Sequence, residues 1–152
     1  MPKKGSVLRR VSMVNALGID VEEWYHLCGA NMPVDFSRDY PSRVIENTEK
    51  ILALLQQCRT KATFFILGCV AEKFPGIVKA IDNAGHEVAS HGYRHLEIFK
   101  HTRDSFREDI RKSNGILNGI TGKSVLGYRA PGFSIINSSL WAIDILAEEK
   151  IQ

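Results

Sequence analysis

Apolar residues along this chain fall into two kinds of run. Short, near-continuous runs at Val14 to Val21 (VNALGIDV), Ala62 to Leu67 (ATFFIL), Glu87 to Ser90 and Val125 to Tyr128 have the length of strands. A run such as ATFFIL, with no polar alternation, fits a strand covered on both faces. Between these runs the apolar residues recur at helical spacing. Pro41 and Ser42 open a helix whose Val44, Thr48, Ile51, Leu52 and Leu55 share a face, leaving Glu46, Glu49 and Lys50 outside. After Gly68 comes a short helical turn, and Pro75 starts a helix through Ile77, Val78 and Ile81 that Gly85 stops. Thr102 is placed to cap a long helix with Phe106, Ile110 and Leu117 buried, ending before Gly122. Asn137 is placed to cap a last helix with Leu140, Trp141 and Ile145 inward. Strand and helix alternate four times, which predicts an α/β fold with a parallel sheet and right-handed crossovers.

The polar residues are spread unevenly over these elements. Asp20 and Glu22 stand at the C-terminal end of the first strand, His91 and His95 just past the third, and Arg129 just past the fourth. Parallel α/β folds build their sites at that edge. In SHGYRH, Ser90 to His95, the two histidines are spaced to share one face of a helix or helical turn. Alone, such a pair is more often two polar residues on a solvated turn. Carboxylates and an arginine on the same rim change that weighting.

Side chains at i and i+2 of a strand share a face, so Asp20 and Glu22 should point together and Glu23 away. One carboxylate with two neutral imidazoles makes a three-ligand set for zinc or a similar divalent ion, with positions left open. A cation there lowers the pKa of water and polarises a carbonyl. A second carboxylate can take the proton, and a fixed positive charge such as Arg129 favours the ionised form of a carboxylate beside it. The residues together describe metal-assisted hydrolysis of an amide or ester.

Composition narrows the class without deciding it. With 152 residues the chain is long enough for one domain with a real core. A hydrophobic share of 44% and a charged share of 24% belong to an ordinary globular protein. A net charge of +3 is too mild to argue for nucleic acid. Basic residues gather at Lys3, Lys4, Arg9 and Arg10, and again from Arg103 to Lys112, where alternating acids suggest a solvated helix face. No apolar stretch approaches the roughly 20 residues of a membrane span. MPKKGSVLRRVSM has positive charges without a following apolar segment. It is expected to be a disordered basic lead-in over residues 1–13, ahead of one domain over 14–152, with the cytoplasm as default compartment. Cys28, Cys58 and Cys69 are odd in number and scattered, so buried thiols are expected rather than a disulfide framework.

The motifs IDVEEW, KATFFILG, AGHEVASHGYRH and GYRAPGFS closely resemble the successive motifs of polysaccharide deacetylases with the NodB homology domain. The nearest variety is the exosortase-associated exopolysaccharide deacetylases, whose first motif is of DVE type. The likeness runs from about Val14 to Glu148. It implies a metal-dependent hydrolase acting on non-peptide C–N bonds, removing acetyl from an N-acetylated polysaccharide on a distorted (β/α) barrel. On that resemblance Asp20 is the catalytic base, Glu22, His91 and His95 hold the metal, and Arg129 orients the base. Pro131 and the aromatic after it, here Phe133 beyond Gly132, form part of the substrate groove. The metal is expected to be zinc, with cobalt or another divalent ion as alternatives.

A complete barrel takes about 250 residues, whereas this chain supplies four βα units. The family's late histidine, the general acid on the leaving amine, has no counterpart after Trp141. The resemblance therefore implies the N-terminal part of a deacetylase, with metal binding retained and turnover slow or absent. Unclosed parallel edges would invite self-association or a partner. The alternative is a metal- and carbohydrate-binding fragment without chemistry. A glycosidase using Asp20 and a second carboxylate has no need of HxxxH. Trp24 and Tyr25, with His26, offer a sugar-stacking wall, although aromatics at a barrel rim more often pack a loop. His86 is expected to be structural or exposed, and His101 solvated.

Overall fold

The computed structural model describes residues 15–26 and 41–151. The expected lead-in, Cys28 and the loop from 27 to 40 lie outside the described residues. β1 (Gly18–Val21), β2 (Thr63–Ile66) and β3 (Glu87–Ser90) form a parallel sheet in the order β1-β2-β3. Val21 pairs with Ile66, and Ile66 with Ser90, so the three strands end level. That common end carries the polar rim. β1 lies at one side of the sheet, with no strand beyond it among the described residues.

Helices carry the chain back between the strands. α1 (Val44–Gln57) joins β1 to β2, and α2 (Gly68–Lys73) with α3 (Pro75–Asn83) joins β2 to β3. Phe64 and Ile66 are fully buried, while Thr63 and Phe65 on the opposite face of β2 are half-buried. The main core gathers Val44 and Leu55 of α1, Val70 of α2, Val78 and Ile81 of α3, and Phe64 and Ile66 of the sheet. Each such side chain contributes roughly 1.5–3 kcal/mol on burial.

α4 (Arg103–Thr121) starts and stops where its terminal residues dictate. Thr102 Oγ1 accepts from the Ser105 N–H at 3.2 Å, and the Thr102 N–H donates to Ser105 Oγ at 2.9 Å. Gly122 closes the helix at φ 70°, a left-handed turn that suits a residue without Cβ. A second cluster, of Ile98, Phe106, Ile110, Ala142 and Ile145, packs α4 against α5 (Trp141–Glu148). Arg107 reaches Glu148 at 2.7 Å and Arg111 reaches Glu149 at 2.8 Å. The charged run expected to be a solvated face is thus partly a seam to the chain around α5.

Several expectations need correction. Residues Val125 to Tyr128 form no fourth strand, only a parallel bridge between Tyr128 and Ser90. The segment's start is drawn towards α4, where the Val125 N–H donates to Asn118 Oδ1 at 2.9 Å. Asn137 makes no side-chain cap. It opens a 3-10 turn (Asn137–Ser139), where Ser139 Oγ accepts from the Ile136 N–H at 2.9 Å. Leu140 is exposed rather than inward, while Ile145 is buried. Cys58 is exposed at the end of α1, and Cys69 is half-buried. Among the described residues no helix is long and apolar enough to cross a membrane.

Candidate metal centre

At the end of β1 the chain separates two adjacent glutamates. Glu23 turns back, and its carboxylate accepts from the Ser42 hydroxyl and from the N–H groups of Arg43 (3.2 Å) and Val44 (3.3 Å). It satisfies donors at the start of α1 that no intrahelical carbonyl can reach. Its own N–H donates to His26 Nδ1 at 3.0 Å, and the His26 N–H returns to the Glu23 carbonyl at 2.9 Å. Glu22, on the face shared with Asp20, is left to point over the rim.

Past β3 the segment His91 to His95 is a loop, not the helical turn expected from its spacing. Gly92 stands at φ 77° and His95 at φ 60°. The second of these is a conformation that a residue with a Cβ adopts at a cost. The loop is held from outside. At the start of α2 the N–H groups of Gly68 and Cys69 donate to the carbonyls of Gly92 (2.9 Å) and Tyr93 (3.0 Å). The Tyr93 hydroxyl donates to Glu72 at 2.8 Å. From α4, Asp109 Oδ2 accepts from the Tyr93 N–H at 2.9 Å, and the Ser113 hydroxyl donates to the Gly92 carbonyl at 3.2 Å.

The three side chains expected to hold a cation come together. Ligand atoms of Glu22, His91 and His95 all lie within 4.8 Å of one another. His91 Nδ1 donates to the Arg129 carbonyl at 2.8 Å, which leaves Nε2 as the unprotonated ring nitrogen. A carbonyl that fixes the far nitrogen in this way is the usual support of a metal-ligating histidine. Glu22 Oε2 lies 3.1 Å from His95 Nε2, yet it is buried and makes no hydrogen bond. The approach is close but misses donor geometry. A buried acceptor with no donor, next to two imidazoles, fits a cation.

The electrostatics agree with that fit. Burial, and then the negative charge of Asp20, push the Glu22 carboxyl up to about 7. Burial, followed by the neighbouring His91 and His26, pushes His95 down to about 4. Burial also lowers His91. Without a cation the imidazoles are neutral at pH 7, the form in which they ligate, and the raised Glu22 carboxyl retains part of a proton that a cation would displace.

Asp20 and Arg129 form the other half of the rim. Arg129 Nη1 lies 2.6 Å from Asp20 Oδ1, with the guanidinium stacked 3.9 Å from the Phe65 ring centroid. A Cβ on Gly18 would meet Arg129 Nη2 at 2.2 Å, so the bare backbone of β1 leaves room for the guanidinium. One residue thus serves both functions, its guanidinium on Asp20 and its carbonyl on His91.

The groove residues are less tightly gathered. Trp24 is exposed and packs edge-on against half-buried Tyr25, with ring centroids 5.6 Å apart. Pro131 is buried, whereas Phe133 is 93% exposed at φ 52°. His26 is buried behind the turn, with Nε2 3.8 Å from Cys69 Sγ, and so braces the loop rather than walls the groove. His86 is buried, its Nδ1 accepting from the Ala62 N–H at 3.3 Å. His101 is half-buried, its Nδ1 3.2 Å from Ser105 Oγ, and not simply solvated. The supporting roles of Glu23, Glu72, Asp109 and Ser113 were not anticipated. Only strand parity, which turned Glu23 away, hinted at one of them.

Residues 38–147 match the family model for polysaccharide deacetylase. That segment contains His91, His95 and Arg129, while Asp20 and Glu22 precede it and join the site by folding. A peptidoglycan-N-acetylglucosamine deacetylase of Bacillus cereus is 44% identical over 101 residues, covering 66% of this chain and 37% of the relative. A peptidoglycan deacetylase of Helicobacter pylori is 31% identical over 126 residues, covering 80% of this chain and 43% of the relative. Among solved structures, the Bc1960 peptidoglycan N-acetylglucosamine deacetylase, in complex with 4-naphthalen-1-yl-N-oxidanyl-benzamide, superposes with a TM-score of 0.67. It is 35% identical, and the match covers 90% of this chain and 53% of that one. This chain spans about half or less of the proteins it resembles, and its strand–helix alternation covers part of their (β/α) barrel. The chain belongs to the polysaccharide deacetylase family.

Proposed function

We propose that the protein is a metal-dependent hydrolase that removes N-acetyl groups from an N-acetylated polysaccharide. The observation that carries this reading is the convergence of Glu22, His91 and His95 around a buried, donor-less carboxylate oxygen, beside the Asp20–Arg129 pair. Two imidazoles and a carboxylate suit zinc, with cobalt as a working substitute. A divalent cation held there supplies Lewis acidity towards water and the acetamide carbonyl. Asp20 takes a proton from the attacking water while Arg129 holds that carboxylate in place, and return of the proton to the nitrogen as its bond to the acetyl carbon breaks gives acetate and a free amine. Trp24, Tyr25 and Phe133 bound the groove in which the sugar lies, with buried Pro131 supporting the turn that carries Phe133.

Related proteins named for peptidoglycan support a glycan substrate. The DVE motif inclines us towards an exopolysaccharide. The solved relative's ligand is an N-hydroxybenzamide, a group that chelates divalent cations, which agrees with a metal at this rim. The test is acetate release from N-acetylated exopolysaccharide, peptidoglycan strands and chitooligosaccharides after chelation, with zinc or cobalt then restored. Release that returns with the metal supports the proposal. Metal and sugar binding without acetate favours a non-catalytic binding role, and acetate release indifferent to chelation overturns the metal. Self-association through the outer edge of β1 belongs to the same proposal, and a single 17.0 kDa species in sedimentation velocity counts against it.

A further inference from the structure

We propose that Asp109 of α4 is a positioning residue that sets the His91–His95 loop in its cation-receptive shape, an inference that rests on the metal reading above. The loop has no helical hydrogen bonds of its own, and His95 is held at φ 60°. Its shape must therefore be imposed by neighbours. Asp109 Oδ2 accepts from the Tyr93 N–H at 2.9 Å, between the two histidines in sequence. The carboxylate also reaches the loop at its tightest point, since a Cβ on Gly92 would come within 3.0 Å of the same oxygen. One turn further along α4, the Ser113 hydroxyl lies 3.0 Å from Ser90 Oγ and donates to the Gly92 carbonyl. Asp109 and Ser113, on successive turns of α4, thus grip the loop at Gly92, the first of its two left-handed residues, and at Tyr93. Helix α4 is anchored independently, by its cap at Thr102 and by Phe106 and Ile110 in the second cluster. It can transmit a fixed position to the loop.

The role differs from general stabilisation in what a substitution should change. Asp109→Ala removes the acceptor. Asp109→Asn keeps an oxygen able to accept from the Tyr93 N–H. Ile110→Val, a buried neighbour on the same helix, weakens the core without touching the loop. Zinc affinity of the whole chain is measured by competition with a chromophoric chelator, alongside melting temperatures and the visible spectrum of the cobalt-loaded protein. We expect Asp109→Ala to weaken zinc binding 10- to 100-fold, the range for supporting partners of metal ligands, and to alter the cobalt bands. Asp109→Asn should recover most of the affinity, and Ile110→Val should lower the melting temperature at wild-type affinity. Wild-type affinity in Asp109→Ala, or equal affinity losses in Asp109→Ala and Ile110→Val, overturns the positioning role and leaves the metal reading standing. If Asp109→Ala does not fold, Asp109→Asn decides, and a loss of affinity there in a folded protein overturns the role. Absence of zinc binding by the wild type, or binding unaffected by His91→Ala, overturns the metal reading and this inference with it.

Discussion

Glu22 and Glu23 are adjacent and chemically identical, but just past the end of β1 they turn to different partners. Glu22 lies half-buried beside two imidazoles, with one buried oxygen that has no donor, and Glu23 holds the first N–H groups of α1. Their substitutions should separate cleanly. Glu22→Gln should abolish tight zinc binding, measured by chelator competition, and raise the metal-free melting temperature above pH 7, because no charge then needs burying. Glu23→Ala should lower stability by about 0.5–2 kcal/mol, the cost of a lost helix cap, with affinity within a few-fold of wild type. An affinity loss as large as that of Glu22→Gln would show Glu23 to be a ligand. Arg129 allows a similar separation, because its carbonyl supports His91 while its guanidinium serves Asp20. Arg129→Met should leave zinc affinity near wild type and cut acetate release by about 100-fold or more, within the range for disturbed general-base catalysis. At this scale strand parity made Asp20 and Glu22 legible in advance. The supports at Asp109 and Ser113 were not legible, because a carboxylate in a charged helix run looks the same whether it faces water or a loop.

Among the elements, the helices are the most legible in the sequence, because their signals are local. Thr102 and Gly122 bracket α4 as their types require. Elements that depend on distant neighbours are the least legible. Val125 to Tyr128 has strand composition, but Asn118 holds its start and only Tyr128 bridges to Ser90. HxxxH has helical spacing, yet the chain brings the two rings to 4.8 Å through Gly92 and His95 at positive φ. Gly92 is therefore the glycine on which the site leans. A methyl group there must adopt φ near 77° and also come within 3.0 Å of Asp109 Oδ2. Gly92→Ala should cost on the order of 1–2 kcal/mol, the penalty for a left-handed residue bearing Cβ, and weaken zinc binding as well. Thr102→Ala should cost about 1 kcal/mol at unchanged affinity. Urea unfolding paired with chelator competition measures both, and a Gly92→Ala protein with intact affinity would mean that the loop does not shape the site.

For the whole molecule, the rim makes stability depend on pH in a way that a cation should reverse. The metal-free Glu22 carboxyl stands at about 7 against an ordinary 4.5, so its contribution is full below pH 4.5 and is lost as pH rises through 7. His95 stands at about 4 against 6.5, so its contribution is full above pH 6.5 and is lost as pH falls through 4. Between pH 4.5 and 6.5 the two slopes oppose each other, and outside that window one acts alone. His91 and His26, both lowered by burial, tilt the window upward towards its neutral end. The chelated protein should therefore melt highest near pH 6 and lose stability from pH 6.5 to 8, as the Glu22 charge is forced into a buried place beside Asp20. Zinc should remove that alkaline decline, because it binds the deprotonated carboxylate and the neutral imidazoles and so stabilises the fold more as protons leave. Melting curves from pH 5 to 8, with chelator and with excess zinc, measure the difference. Parallel curves would mean that the cation does not sit on Glu22 and His95. A gap between the curves that widens as pH rises towards neutrality, and that is absent in Glu22→Gln, would place it there and tie the stability of the sheet's polar edge to the occupancy of the site.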